Sequence, residues 1–244
     1  MRTITLTFGD RGENHAGMQI IGELGQGLTP QELAAAMALF ARDEFDCEMH
    51  DLNQEGGVDD AAPARVLVVR NGVNVACTER ELFNEQRVLP VDKYAKMYGR
   101  VVNKRARWNL CFADFAQEPD YEQGKGRIID FRAVPFTSLL RQTLGAYIPG
   151  AERLICEGNY YHELQSYIGW HGDAERRRVI AVRLGAPMNL YYRWYRGSTP
   201  VGQMITIALQ PGDVYIMSDK AVGWDWRSNR TGLTLRHAAG NTPP

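Results

Sequence analysis

A series of short strand-like runs in the second half of the chain constrains the fold most. Residues 153–159, 179–184, 190–195, 204–209, 214–217 and 233–236 read as strands, and all but the first are dominated by β-branched, aliphatic or aromatic side chains. Gly185, Pro187, Gly197, Pro200 and Pro211-Gly212 separate most of them. Many short strands with turn punctuation build sandwiches or barrels, and this pattern predicts a jelly roll.

The first half has a mixed texture. Residues 2–8 alternate polar and apolar, as a strand does, and 9–27 read as a Gly-containing loop with short structure. Thr29-Pro30-Gln31-Glu32 is a helix start: a capping threonine, a proline suited to the first turn, and a glutamate that closes a capping box. The helix carries Leu33, Ala36, Met37 and Phe40 on one stripe. Residues 43–60 hold eight acids and no Lys or Arg, which predicts a solvated acidic loop. Arg65–Val69 reads as a strand, Asn71-Gly72 as a turn, and Val73–Cys77 as the returning strand. Glu79–Glu85 and Val91–Tyr98 predict short helices, and Phe136–Leu144 an amphipathic helix ending at Gly145. A boundary near residue 95 follows. Residues 1–95 form a small α/β region, and 96–244 a jelly-roll core with flanking helices, an α+β fold overall.

Composition removes several classes of function. With 28 Lys+Arg against 29 Asp+Glu the net charge is −1, unlike a protein that holds duplex DNA by bulk charge. Cys47, Cys77, Cys111 and Cys156 are too far apart for a zinc knuckle or a redox pair, and predict reduced thiols in a cytoplasmic protein. The N-terminus lacks the apolar core of a signal peptide. The longest apolar run, Leu33–Ala41, is too short to span a bilayer, so no membrane association is expected.

The sharpest chemical signal is Gly169-Trp170-His171-Gly172-Asp173. On a strand, His171 and Asp173 point to one side. An imidazole and a carboxylate so placed are two thirds of a facial triad, which holds non-haem Fe(II) and leaves positions open. The plain alternative is a solvated His beside an Asp. Arg230 and Arg236 are six apart, so on a strand both face one way. A buried pair of guanidinia suits a dicarboxylate such as 2-oxoglutarate, and a solvated strand is the alternative.

Residues from about 100 to 240 resemble the AlkB-like branch of the Fe(II)/2-oxoglutarate dioxygenases. The run from Asn159-Tyr160-Tyr161 through Ile168-Gly169-Trp170-His171-Gly172-Asp173-Ala174-Glu175-Arg176 resembles the family's Asn-x-Tyr … His-x-Asp-x-Glu-Arg block. Gly212-Asp213 resembles its Gly-Asp strand, and Arg230–Arg236 its Arg-x-Asn-Leu-Thr-Phe-Arg strand. The resemblance implies a double-stranded β-helix that uses Fe(II), 2-oxoglutarate and O2, hydroxylates or oxidatively demethylates a C–H bond, and releases succinate and CO2. It implies His171 and Asp173 as iron ligands. Asn159 and Tyr161 would hydrogen-bond 2-oxoglutarate, Arg230 would pair with its far carboxylate, and Arg236 would lie beside it. Glu175 and Arg176 would contact substrate, a small molecule, a nucleotide or a nucleic acid, and the near-neutral charge favours the first two over duplex DNA. The retained Asp173 favours oxygenation over halogenation.

Two departures stand out. The family's third ligand, a His, falls between the Gly-Asp strand and the first Arg, where Ser218–Asn229 contains no His. Asp225 is the nearest candidate by position, whereas His237 is the better ligand by chemistry. Strand alternation opposes His237 if Arg236 faces the metal, and a bulge or a different role for one arginine would reconcile them. His237 is the expected ligand and Asp225 the alternative. Gly232 also replaces the family's Asn. The missing His motivates a contrasting possibility, a jelly-roll binding module without metal. His15, His50 and His162 read as surface residues, Tyr191–Tyr195 as core, and Arg176-Arg177-Arg178 either as a solvated strand start or as an attractor of anionic substrate.

Overall fold

The computed structural model describes residues 3–163, 165–229 and 231–243. The chain opens with β1 (Thr3–Gly9) and the short ribbon β2 (Arg11–Glu13) and β3 (Ile20–Gly22). Then come α1 (Pro30–Arg42), β4 (Cys47–Asp51), α2 (Leu52–Gly56), β5 (Arg65–Val69) and α3 (Glu79–Gln86). A hairpin of β6 (Tyr94–Met97) and β7 (Arg100–Asn103) leads to β8 (Trp108–Ala113), β9 (Ile128–Asp130) and α4 (Pro135–Leu144). Strands dominate thereafter: β10 (Ile155–Tyr161), β11 (Ile168–His171), β12 (Val179–Leu184), β13 (Met188–Arg196), β14 (Thr199–Leu209) and β15 (Val214–Met217). The four-residue α5 (Asp219–Val222) and β16 (Leu233–Gly240) close the chain.

The architecture is α+β and mostly sheet. A large sheet has the order β4-β5-β15-β12-β1-β10-β8-β9, and a smaller one the order β11-β16-β13-β14. Side chains alternate across each strand, so the large sheet feeds two cores. One face, with Ile4, Leu6, Phe8, Ile180, Val182 and Ile216, packs under α1, α3 and α4. The other, with Val66, Val68, Val179, Ala181 and Met217, packs on Leu190, Tyr192, Trp194, Ile207 and Leu235 of the small sheet. The result is three layers: helices, large sheet, small sheet.

The large sheet crosses the boundary expected near residue 95. Strands β1, β4 and β5 are hydrogen-bonded into it alongside β8, β10, β12 and β15. β1 lies between β10 and β12, antiparallel to both, with Thr5 opposite Asn159 on one side and Arg183 on the other.

Several local expectations need correction. The acidic stretch is not a loop. Cys47–Asp51 is the edge strand of the large sheet, and charge is what an exposed edge tolerates. Glu48 there binds Arg70 at 2.7 Å, and the fully buried Leu52 anchors the helix that follows. Val73–Cys77 does not return as a strand. β5 is already flanked by β4 and β15, and residues 72–75 form a 3₁₀ turn after left-handed Asn71. Residues 94–97 pair with 100–103 as a hairpin instead of forming a helix. Tyr98 and Gly99, both at positive φ, make its two-residue turn. The Thr29–Glu32 capping box is present, with reciprocal bonds of 3.1 and 2.7 Å. Among the described residues, no helix is long and apolar enough to cross a membrane.

Candidate metal centre

A cavity of about 650 Å³ opens between the two sheets. Thr5 and Thr7 of β1, Asn159 and Tyr161 of β10, and Tyr215 of β15 form part of its wall. His171, Asp173 and His237 also line it. His171 ends β11, and β11 pairs with β16 so that His171 lies opposite His237. Asp173 follows two residues on, its backbone N–H held by the Val222 carbonyl at 3.0 Å.

These three residues form one cluster. Their candidate ligand atoms all lie within 4.8 Å of one another. His171 Nε2 and His237 Nε2 are each 3.5 Å from the same Asp173 oxygen, Oδ1. The His171 Nδ1 lies 2.7 Å from the Gly169 carbonyl, a contact that fixes the ring with Nε2 turned toward Asp173. Ligands adjacent around a first-row ion with bonds of about 2.1 Å sit roughly 3 Å apart, close to the spacing seen.

The electrostatics prepare the donors. Burial opposes a charge on Asp173, but Arg176 and the two imidazoles outweigh it and hold the carboxyl well below its usual range. Burial, then the neighbouring His171, push the His237 imidazole down from its ordinary value. A carboxylate and a neutral imidazole are the forms that bind metal. Two imidazoles and one carboxylate on a cavity wall are a donor set that would fit a first-row divalent ion.

Arg176 ties this centre to the sheet. It is buried and binds Glu157 of β10, Glu175 at 2.8 Å and Asp173 at 3.5 Å. Burial, followed by the charges of Asp173 and Glu157, raises the Glu175 carboxyl against the pull of Arg176. Arg176 is therefore committed to carboxylates of the protein itself. Arg177 pairs with Asp219, and Arg178 donates to the Pro149 carbonyl at 3.0 Å. The arginine run is thus neither a solvated strand start nor a free basic patch.

The structure sorts the remaining expectations. Asn159 and Tyr161 lie on the cavity wall, and Asn159 Oδ1 accepts from Arg107 at 2.5 Å and Asn109 at 2.8 Å. Glu175 also lines the cavity. Asp225 is not part of the triad. Lys220 takes its Oδ2 at 2.6 Å, which makes it a structural partner and not the alternative ligand. Arg236 is corrected as well. It alternates with His237 on β16, so it faces away from the cavity, donates to the Gly197 carbonyl at 2.5 Å and lies 4.0 Å over Tyr195. Arg230 lies outside the described residues.

Residues of the first half complete the cavity. Glu13, His15 and Arg107 line it together with Thr5 and Thr7. His15 is therefore a wall residue, not a plain surface histidine. Burial is the main reason that the Glu13 carboxyl is raised to about 7, with Glu175 and Glu157 adding to it. Of the other histidines, His50 pairs with Glu55 at 3.1 Å and His162 stacks on Trp108 at 4.3 Å. Tyr192 and Trp194 are fully buried, as expected of core.

No family model matches the chain. It is 43% identical to an uncharacterized protein of Acanthamoeba polyphaga mimivirus over 243 residues, 98% of this chain and 95% of the relative. A match of that strength over nearly the whole of both chains makes this chain a member of the mimivirus protein's family.

Proposed function

We propose that the protein is an Fe(II)- and 2-oxoglutarate-dependent dioxygenase that hydroxylates or oxidatively demethylates a small-molecule or nucleotide substrate. The observation that carries this is the His171–Asp173–His237 cluster on the wall of an inter-sheet cavity. Two imidazoles and one carboxylate are the donor set of non-haem iron oxygenases. Bound Fe(II) would supply the oxygen chemistry with O2 and 2-oxoglutarate.

The path of the chain supports a double-stranded β-helix. From β10 onward the strands fall in the large, small, large, small, small, large and small sheets in turn. An eight-stranded jelly roll needs four strands in each sheet. The small sheet has its four. The large sheet has β15, β12 and β10, and the gap between β12 and β10 holds β1. We read β1 as the eighth strand, supplied from the other end of the chain.

The side chains have separable tasks. His171, Asp173 and His237 hold the metal on one wall. Arg176 keeps Asp173 ionised and fixed against β10. Asn159 and Tyr161 offer polar groups to the 2-oxoglutarate. Glu175 and Glu13 line the space left for a substrate, and the Glu13 carboxyl, pushed up to about 7 chiefly by burial, can donate or accept a hydrogen bond there. The free cysteines suit a reducing compartment, and cytoplasmic placement belongs to the same proposal.

Anaerobic titration with Fe(II) and 2-oxoglutarate tests the function. A weak visible charge-transfer band at one equivalent, then succinate formation in air, is expected. No band and no succinate would return the protein to the metal-free binding module that lack of a His between Asp213 and Arg230 first suggested.

A further inference from the structure

We infer that Arg183 anchors the far carboxylate of the 2-oxoacid cosubstrate. This rests on the oxygenase function proposed above and assigns the anchor to a residue on a strand where the sequence did not place it.

Arg183 lies on β12 and has no solvent exposure. Its Nη1 donates to the Thr5 hydroxyl and lies 3.6 Å from the Met188 sulfur. Its Nε and Nη2 are buried and have no hydrogen-bond partner among the described residues. None of the described carboxylates forms an ion pair with it, whereas Arg176, equally buried, binds three. A guanidinium does not lose its proton in a protein. Arg183 therefore holds a full positive charge and two unused donors inside the fold, an arrangement that calls for a counterion.

Its position says where that counterion comes from. Arg183 pairs with Thr5, and Thr5 with Asn159, so the three share one face of the large sheet. Thr5 and Asn159 line the cavity of the metal centre. Tyr161 and Tyr215, also on its wall, sense the charge of Arg183. The guanidinium thus lies behind the Thr5 hydroxyl against a wall of phenols and amides. An anionic group reaching that wall would meet a charged fork with free donors. Arg236, the described member of the arginine pair expected to do this, faces the other side of β16. A dicarboxylic 2-oxoacid satisfies both ends: an oxoacid head toward the metal triad and a second carboxylate toward Arg183.

The test compares 2-oxoglutarate with 2-oxobutanoate, which has the same head and no second carboxylate. Both are titrated calorimetrically into the full-length protein loaded with Mn(II), which binds such sites without turnover. Wild type should prefer 2-oxoglutarate by about a hundredfold. Arg183→Met should bind Mn(II) as wild type does, lose that preference, and leave 2-oxobutanoate affinity unchanged. It should also melt higher than wild type without ligand, because an unpaired buried charge has gone. Should Arg183→Met not fold, Arg183→Lys carries the comparison, with the preference cut by about tenfold because an ammonium cannot reproduce the fork. A variant that still prefers 2-oxoglutarate would overturn the assignment and leave the oxygenase function standing. A wild type that binds Mn(II) but neither oxoacid would overturn both.

Discussion

Replacing Gly172 with alanine should damage the proposed metal centre without adding or removing one of its candidate ligands. Gly172 sits between His171 and Asp173, and a Cβ there would meet the Gly223 carbonyl oxygen at 2.1 Å and the Trp226 ring at 2.7 Å. Carbon–oxygen contacts settle near 3.3 Å, so the loop at Gly223 and the end of β11 must part by about 1.2 Å. Gly223 carries φ +73°, and a Cβ there would lie 2.5 Å from the Leu235 carbonyl of β16, two residues before His237, so the loop runs close to that strand. The neighbouring Asp173 N–H depends on Val222 of the same loop. Overpacking of this size costs about 2 kcal/mol, or roughly 4–8 °C in melting temperature for a chain this long. A ligand displaced by about 1 Å should lower metal affinity by about ten- to a hundredfold. Gly169→Ala is the control, because on the same strand its Cβ meets nothing closer than 3.9 Å. Mn(II) calorimetry and thermal melts of both variants measure the effect. A Gly172→Ala protein with wild-type affinity, or a Gly169→Ala protein equally impaired, would refute the argument that this close approach positions Asp173.

Four further variants give separate expected outcomes. His237→Ala should lower Mn(II) affinity by more than about a hundredfold. Asp225→Ala should leave that affinity unchanged, yet lose about 3 kcal/mol of stability because the part-buried Lys220 loses its carboxylate partner. Calorimetry and melts on the two proteins separate ligand from structural partner. Arg236→Ala should cost about 1 kcal/mol through its lost contact with Tyr195, with no change in 2-oxoglutarate affinity measured by the same titration. Glu13→Gln tests the raised carboxyl. A pKa raised from 4.5 to about 7 means that the folded protein holds the proton more tightly than the unfolded chain. That stabilisation is complete below pH 4.5 and is lost as pH rises through 7. Melting temperatures of the Gln variant should therefore gain on wild type between pH 5 and pH 8, and parallel curves would refute the assignment.

What was legible in the sequence was local. The strand runs at 179–184 and 214–217 depend on alternation and turn residues, and both were found with their bounds intact. His171 and Asp173 pair by strand alternation in the sequence, whereas β11 ends at His171 and Asp173 reaches the cluster from the turn beyond it, held by the Val222 carbonyl. His237 could be chosen by ligand chemistry, and the alternation that seemed to oppose it instead turns Arg236 outward. Features that depend on distant partners were not legible. The stretch 73–77 has strand composition, but nothing local says that both edges of β5 are taken. Tyr98 is a poor marker for a turn at positive φ, so Val91–Tyr98 reads as a helix where residues 94–97 in fact pair with 100–103. Arg183 lies in the run Val179–Leu184, where nothing local marks its arginine as fully buried.

The role of β1 shows how a strand can encode its layer without encoding its neighbours. Thr3, Thr5 and Thr7 alternate with Ile4, Leu6 and Phe8, and all six are buried. A strand between two apolar cores has no use for three hydroxyls, because each needs a partner once it leaves water. The stripe is consistent with one face meeting helices and the other a polar cavity, and that is how the two faces divide: Ile4, Leu6 and Phe8 lie under the helices, while Thr5 and Thr7 line the metal-centre cavity. Position then decides consequence. β10 carries Asn159 and Tyr161, and β12 continues from the segment that holds Asp173 and Arg176; β1 is hydrogen-bonded to both along its length. Removing residues 1–9 would therefore open the large sheet at its centre and part the two walls that frame the site. The N-terminal region, which resembles no part of the oxygenase motif, is for this reason a structural part of the cavity and not an appendage to it.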